Sequence, residues 1–175
     1  MTVLKIVLGG LVILVAAILT FVYSGIFNVA ATVTDGPVMT WLLTETRNRS
    51  IAARSKDIDV PDLDNEQFQL AGINDFNVMC AACHTAPGRM PSPLARGLNP
   101  PAPDLAKSAL EKSPEDLFWV TKNGIRMTGM PAWGVTHGDD DIWPVIAFLK
   151  VLPKLEDKDY QKMLKEAKGM GHHAH

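Results

Sequence analysis

Two cysteines stand three positions apart, and a histidine follows the second: Cys80-Ala-Ala-Cys83-His84. Two thiols on one helical turn can add to the two vinyl groups of a porphyrin while the next residue's imidazole reaches the iron, the attachment pattern of c-type haem. A structural zinc site needs four ligands, and no further cysteine exists to supply them. A thioredoxin-like thiol pair would need a βαβ context, and no alternating strand pattern of useful length occurs. Two thiols close one tiny loop at most, which excludes a disulfide-stapled scaffold.

An iron held by His84 on one face calls for a thioether or imidazole on the other. The segment Asn123-Gly-Ile-Arg-Met127-Thr-Gly-Met130-Pro131 supplies two methionines. Met130 lies between Gly129 and Pro131, in a turn-rich stretch where a side chain can point inward free of helix or strand constraints. Met127 is the rival, and either could be a plain core filler. His137, in a Gly/Asp loop, reads as a surface or capping residue. The tail Gly171-His172-His173-Ala174-His175 could capture a stray transition metal, but as a chain terminus it reads as frayed.

The elements that position these groups are helices. Apolar residues at Leu70, Ile73, Phe76 and Val78 predict a helix over Gln67 to Met79 leading into the cysteines. Ser113-Pro114-Glu115-Asp116 reads as a capping box that opens a helix ending at Asn123-Gly124. Asp139 to Leu152 has acids in its first turn and Lys150 in its last, and Pro144 just after that turn removes at most one backbone hydrogen bond. Six prolines between Ala86 and Pro103 define an irregular loop.

Upstream, no charged residue occurs from Ile6 to Thr34. The 22 residues from Ile6 to Phe27 are almost wholly aliphatic, and as a helix they reach roughly 33 Å, the thickness of a bilayer core. Val29-Ala30-Ala31 offers a signal-cleavage pattern, but the apolar run far exceeds the roughly 7–15 residues of a cleaved signal. An uncleaved anchor is the expectation. Lys5 before the span and Arg47 as the first cation after it place the N-terminus in the cytoplasm and the rest outside.

Residues 36–56 predict an amphipathic helix that packs on the soluble domain, or else lies along the membrane surface. Asp57 to Glu66 alternates five acids with other residues; Asp62 stands where a calcium loop needs glycine, so a solvated acidic linker is expected. The chain divides into an anchor (1–27), a helix and linker (28–71), a haem domain (72–155), and a charged helix with a histidine-containing tail (156–175). The 175 residues carry a formal charge of −2 and are 47% apolar, which excludes a basic nucleic-acid binder and a disordered chain.

Residues 72–153, from Gly72 and Phe76 through CAACH to GMPAWG and IAFLKVL, resemble a class I (monohaem, His/Met) cytochrome c domain. The span followed by TWLLTETRNRS is similar to membrane-anchored bacterial c-type cytochromes of respiratory chains. This resemblance implies an all-α cytochrome c fold around one covalent haem c, with Cys80 and Cys83 as thioether residues and His84 and Met130 as iron ligands. It implies that Gly72 and Phe76 meet the last helix near Trp143, Ala147 and Phe148, and that a proline carbonyl, Pro100 or Pro101, accepts the histidine's hydrogen bond.

A six-coordinate His/Met iron has no open position for substrate, so the expectation is an electron carrier rather than an enzyme. The expected site is the periplasmic face of the inner membrane. Expected partners are membrane redox complexes: a quinol-oxidising complex or dehydrogenase as donor, a terminal oxidase or reductase as acceptor. The alternatives are a fixed haem subunit of a larger oxidoreductase, and a ligand sensor or peroxidase-like enzyme in which the methionine leaves.

Overall fold

The computed structural model describes residues 2–169; the histidine tail lies outside the described residues. Residues 1–33 form one unit and the chain from Thr34 onward forms another. The first unit is helix α1 (Thr2–Ser24), with a mean hydropathy of 2.7 over its most apolar stretch. It is long and apolar enough to cross a membrane, and it fits the anchor expected from the sequence.

The second unit is all-helical, with no strand among the described residues. Its helices are α2 (Pro37–Ser55), α3 (Glu66–Asp75), α4 (Ala81–His84), α5 (Pro93–Arg96), α6 (Leu105–Ser108), α7 (Pro114–Asn123), α8 (Asp139–Val151) and α9 (Asp157–Gly169). Helix α8 is the centre of the core. Ile142 to Leu149 are all buried, the pattern of a helix covered on every side.

Helix α3 packs on α8, and the contact depends on the absence of a side chain. A Cβ at Gly72 would lie 1.9 Å from the Pro144 carbonyl oxygen, so only glycine lets the backbones approach this closely. One turn on, the rings of Phe76 and Phe148 lie 5.1 Å apart, and Phe118 of α7 stacks on Trp143 at 4.0 Å. The small residue and the aromatic therefore meet α8 as the resemblance implied.

The core also draws on residues outside 72–155. Leu63, Tyr160, Leu164 and Ala167 are all buried. The acidic stretch is thus pinned: Gln69 donates its side-chain amide to the Leu63 carbonyl, and Asp64 pairs with Lys150 at 2.9 Å. Helix α9 packs on α3, with Tyr160 donating to Asn77 Oδ1 at 3.2 Å and Arg89 stacked 5.9 Å above its ring. Burial raises the Tyr160 phenol above its ordinary value.

Helix α2 packs on α7. Ser113 caps α7 by accepting from the Asp116 N–H at 3.2 Å, but the expected reciprocal half of the box gives way to another bond. The Asp116 carboxylate accepts instead from the Ser55 hydroxyl at the end of α2, which ties the two helices together.

A candidate haem site

The run predicted as one helix over Gln67 to Met79 is not uniform. After Asp75 the backbone widens into a π turn over Phe76–Cys80, closed by the Ala81 N–H on the Phe76 carbonyl, five residues back. Wide turns of this kind concentrate at functional sites because the extra residue re-aims the side chains that follow. Cys80 ends the π turn buried, and Cys83 lies half-buried on the single turn α4, with His84 closing it. Burial, with smaller contributions from Asp75 and Cys83, pushes the Cys80 thiol up to about 12. The pocket thus prefers an uncharged sulfur there, and a thioether is one.

His84 is oriented from the far end of the proline loop. Its Nδ1 lies 2.9 Å from the Pro103 carbonyl oxygen, which can only accept, so Nδ1 carries the proton and Nε2 is left as the free donor atom. Burial lowers the imidazole's pKa and the Pro103 bond partly opposes this, which favours the neutral, metal-binding form. The partner is Pro103, not Pro100 or Pro101. Pro103 precedes Asp104, whose carboxylate accepts from the Ala106 N–H and caps α6; the chain is fixed there. Just past the histidine, Thr85 has a φ of 57°, uncommon for a β-branched residue, and its hydroxyl donates to the His84 carbonyl.

The methionine segment closes on itself. Gly124 ends α7 with a φ of 66°, and a Cβ there would meet Met130 O, Pro131 C and Ala132 N at 2.7–2.8 Å. From this close approach the Ile125 N–H donates to Met130 O at 3.2 Å. Inside the ring, the Thr128 hydroxyl donates to Ile125 O at 2.8 Å and accepts from the Met130 N–H at 3.1 Å. Met130 is half-buried. Met127, at a φ of 60°, is 90% exposed.

One loop reaches toward both the histidine and the methionine segment. Pro103 touches His84, and five residues earlier Leu98 lies against Gly129, where a Cβ would stand 2.6 Å from Leu98 Cδ2. Pro103, Thr128 and Leu98 were not singled out from the sequence as site residues, and Gly124 was read there as a helix end alone. Only the glycine carried a usable signal, as the end of a helix. His137 is a turn residue: its Nδ1 lies 2.8 Å from the Thr136 hydroxyl and its ring meets Trp133 edge-on.

The donor set fits a covalent haem. Two sulfurs stand at thioether spacing, an imidazole presents its Nε2, and a thioether stands in a self-closed loop. No group of three or more His, Cys, Asp or Glu that could hold a bare metal ion occurs among the described residues. Residues 69–149 match the family model described as cytochrome c oxidase, cbb3-type, subunit III. No curated protein and no solved structure matches the chain. From Cys80 through His84 to the helix that buries Phe148, the chain contains a c-type cytochrome domain carrying covalent haem c, behind an N-terminal helix that fits a membrane anchor.

Proposed function

We propose that this chain is a membrane-tethered carrier of single electrons, with His84 and Met130 as the two axial ligands of its haem. The hydrogen bond between His84 Nδ1 and the Pro103 carbonyl carries the reading, because it fixes the imidazole in the tautomer and direction that iron binding requires. The haem supplies the one-electron couple. The protein's part is to fill both axial positions, leaving none for substrate, and a thioether ligand raises the potential.

Lys5 before the span and Arg47 as the first cation after it support a haem domain on the periplasmic side of the inner membrane. Residues 72–155 hold eight cations and eight acids, so net charge gives little long-range steering toward a partner. The tether replaces steering by confining the haem among membrane-embedded partners. These are a quinol-oxidising complex or dehydrogenase on one side and a terminal oxidase or reductase on the other. The description of the matching family model favours a second reading, a fixed haem subunit of a larger oxidoreductase complex.

Spectroscopy tests the ligands. The oxidised protein should show a far-red sulfur-to-iron absorption band that Met130→Ala abolishes and Met127→Ala leaves intact, and Met130→Ala should lower the midpoint potential. An unchanged spectrum and midpoint in Met130→Ala would refute Met130 as a ligand. Rapid carbon monoxide binding by the reduced wild type would favour a sensor or peroxidase-like role. Isolation in mild detergent separates the carrier, which comes away alone, from the fixed subunit, which does not.

A further inference from the structure

Helix α2 has two unlike halves. From Thr44 to Ser55 the face of Asn48, Ile51 and Ser55 is partly or wholly buried, and the helix packs on α7. From Val38 to Leu43 nothing covers it. Val38 is 75% exposed, Met39 44%, Trp41 65%, Leu42 50% and Leu43 54%. At helical spacing these five side chains take up more than half of the helix circumference, and a contiguous apolar patch on this scale marks an interaction surface.

The chain itself says what covers the patch. Twelve residues, 25–36, separate the end of α1 from the start of α2. Fully extended they reach about 40 Å, so the start of α2 can lie no farther than that from the end of α1, within reach of whatever membrane α1 crosses. That connector exposes Ile26, Phe27, Val29 and Val33, and Asp35 is the only charge between Ile6 and Thr44. The apolar character of the span therefore runs on, almost uninterrupted, into the first two turns of α2. Cations appear only afterwards: Arg47, Arg49 and Arg54 against the single acid Glu45, which pairs with Arg49 at 2.7 Å. An apolar face bearing a tryptophan, followed by a cationic segment, is the composition of a helix lying in a lipid interface.

We propose that the first two turns of α2 lie in the headgroup boundary of the bilayer that α1 spans, with Trp41 as the buried anchor. The inference rests on α1 being retained as a membrane anchor. It makes the connector a short hinge between two membrane-bound points. Through the packing of α2 on α7, the membrane then restrains the haem domain.

The test uses the full-length holoprotein in phosphatidylcholine–phosphatidylglycerol vesicles with brominated acyl chains. The chain has four tryptophans, and the other three, Trp119, Trp133 and Trp143, belong to the haem domain. Subtracting the emission of Trp41→Phe isolates Trp41. Its emission should be blue-shifted and quenched roughly twofold by bromine near the headgroups, less by bromine at mid-chain. Leu42→Glu/Leu43→Glu should abolish the quenching and leave the haem spectrum unchanged. Water-like emission indifferent to bromine overturns the inference; so does blue-shifted emission indifferent to bromine, which means a protein partner covers the face. Vesicle flotation separates the two readings: protein that floats without Trp41 quenching refutes only the interfacial helix, whereas protein that does not float refutes the anchor and this inference with it.

Discussion

The two sides of the proposed haem site are held by different kinds of structure. The histidine side rests on long-range contacts: Gly72 against Pro144, Phe76 against Phe148, and the Pro103 carbonyl brought to His84 from 19 residues away. The methionine side is organised largely within residues 124–130, by a ring of hydrogen bonds around the Thr128 hydroxyl. The first can fail only if the core fails. The second can open while the core stays intact, so on the proposed ligation the difference separates what sets stability from what sets the iron's sixth ligand.

Removing the covalent tether is the most severe way to break this contrast. A haem domain this small gains much of its apolar burial from the porphyrin, so Cys80→Ala/Cys83→Ala should lose cooperative folding of the domain; a native far-UV circular dichroism spectrum with a cooperative melt would refute this. Gly72→Val attacks the histidine side through the core. With the Pro144 carbonyl where a Cβ must go, it should destabilise the holoprotein by about 3 kcal/mol, read as a lower denaturation midpoint with the far-red band retained until unfolding. Thr128→Val sharpens the contrast from the other side. Losing the hydroxyl's two hydrogen bonds, roughly 1 kcal/mol in all, should leave global unfolding nearly unchanged while the far-red band disappears at milder heat or denaturant. Acid should produce the smallest change near neutrality. Burial lowers the His84 pKa from 6.5, and iron held at Nε2 would oppose protonation further, so the folded state takes up this proton less readily than the unfolded chain. Stability from this group is therefore present above about pH 6.5 and declines as the pH falls below it, which a pH series of denaturation midpoints would register.

What could be read from the sequence followed from chemistry that leaves little freedom. The thioether attachment pattern calls for Cys80, Cys83 and His84 within five residues, while the meeting of Gly72 and Phe76 with α8 was implied by the family resemblance. The π turn at Phe76–Cys80 was not legible, because one extra residue in a turn changes no composition or period. The choice of Pro103 over its neighbours was equally hidden: three prolines within four positions share the same local preferences, and the path of the whole loop decides which carbonyl arrives at the imidazole. Leu63 lay within an acidic run that reads as solvated, yet a single apolar side chain there joins the core. Met127 is 90% exposed and Met130 half-buried, a difference that spacing does not carry.

Surface loops usually absorb insertions and deletions without consequence. The proline segment does not have that freedom, since Leu98 bears on Gly129 next to Met130 and Pro103 holds His84. It works as a strap of set length between the histidine and methionine segments, so a residue added or removed between positions 98 and 103 would disturb both proposed ligands at once. If His84 and Met130 hold the iron as proposed, redox tuning and ligand strength would be coupled through a stretch that never needs to touch it.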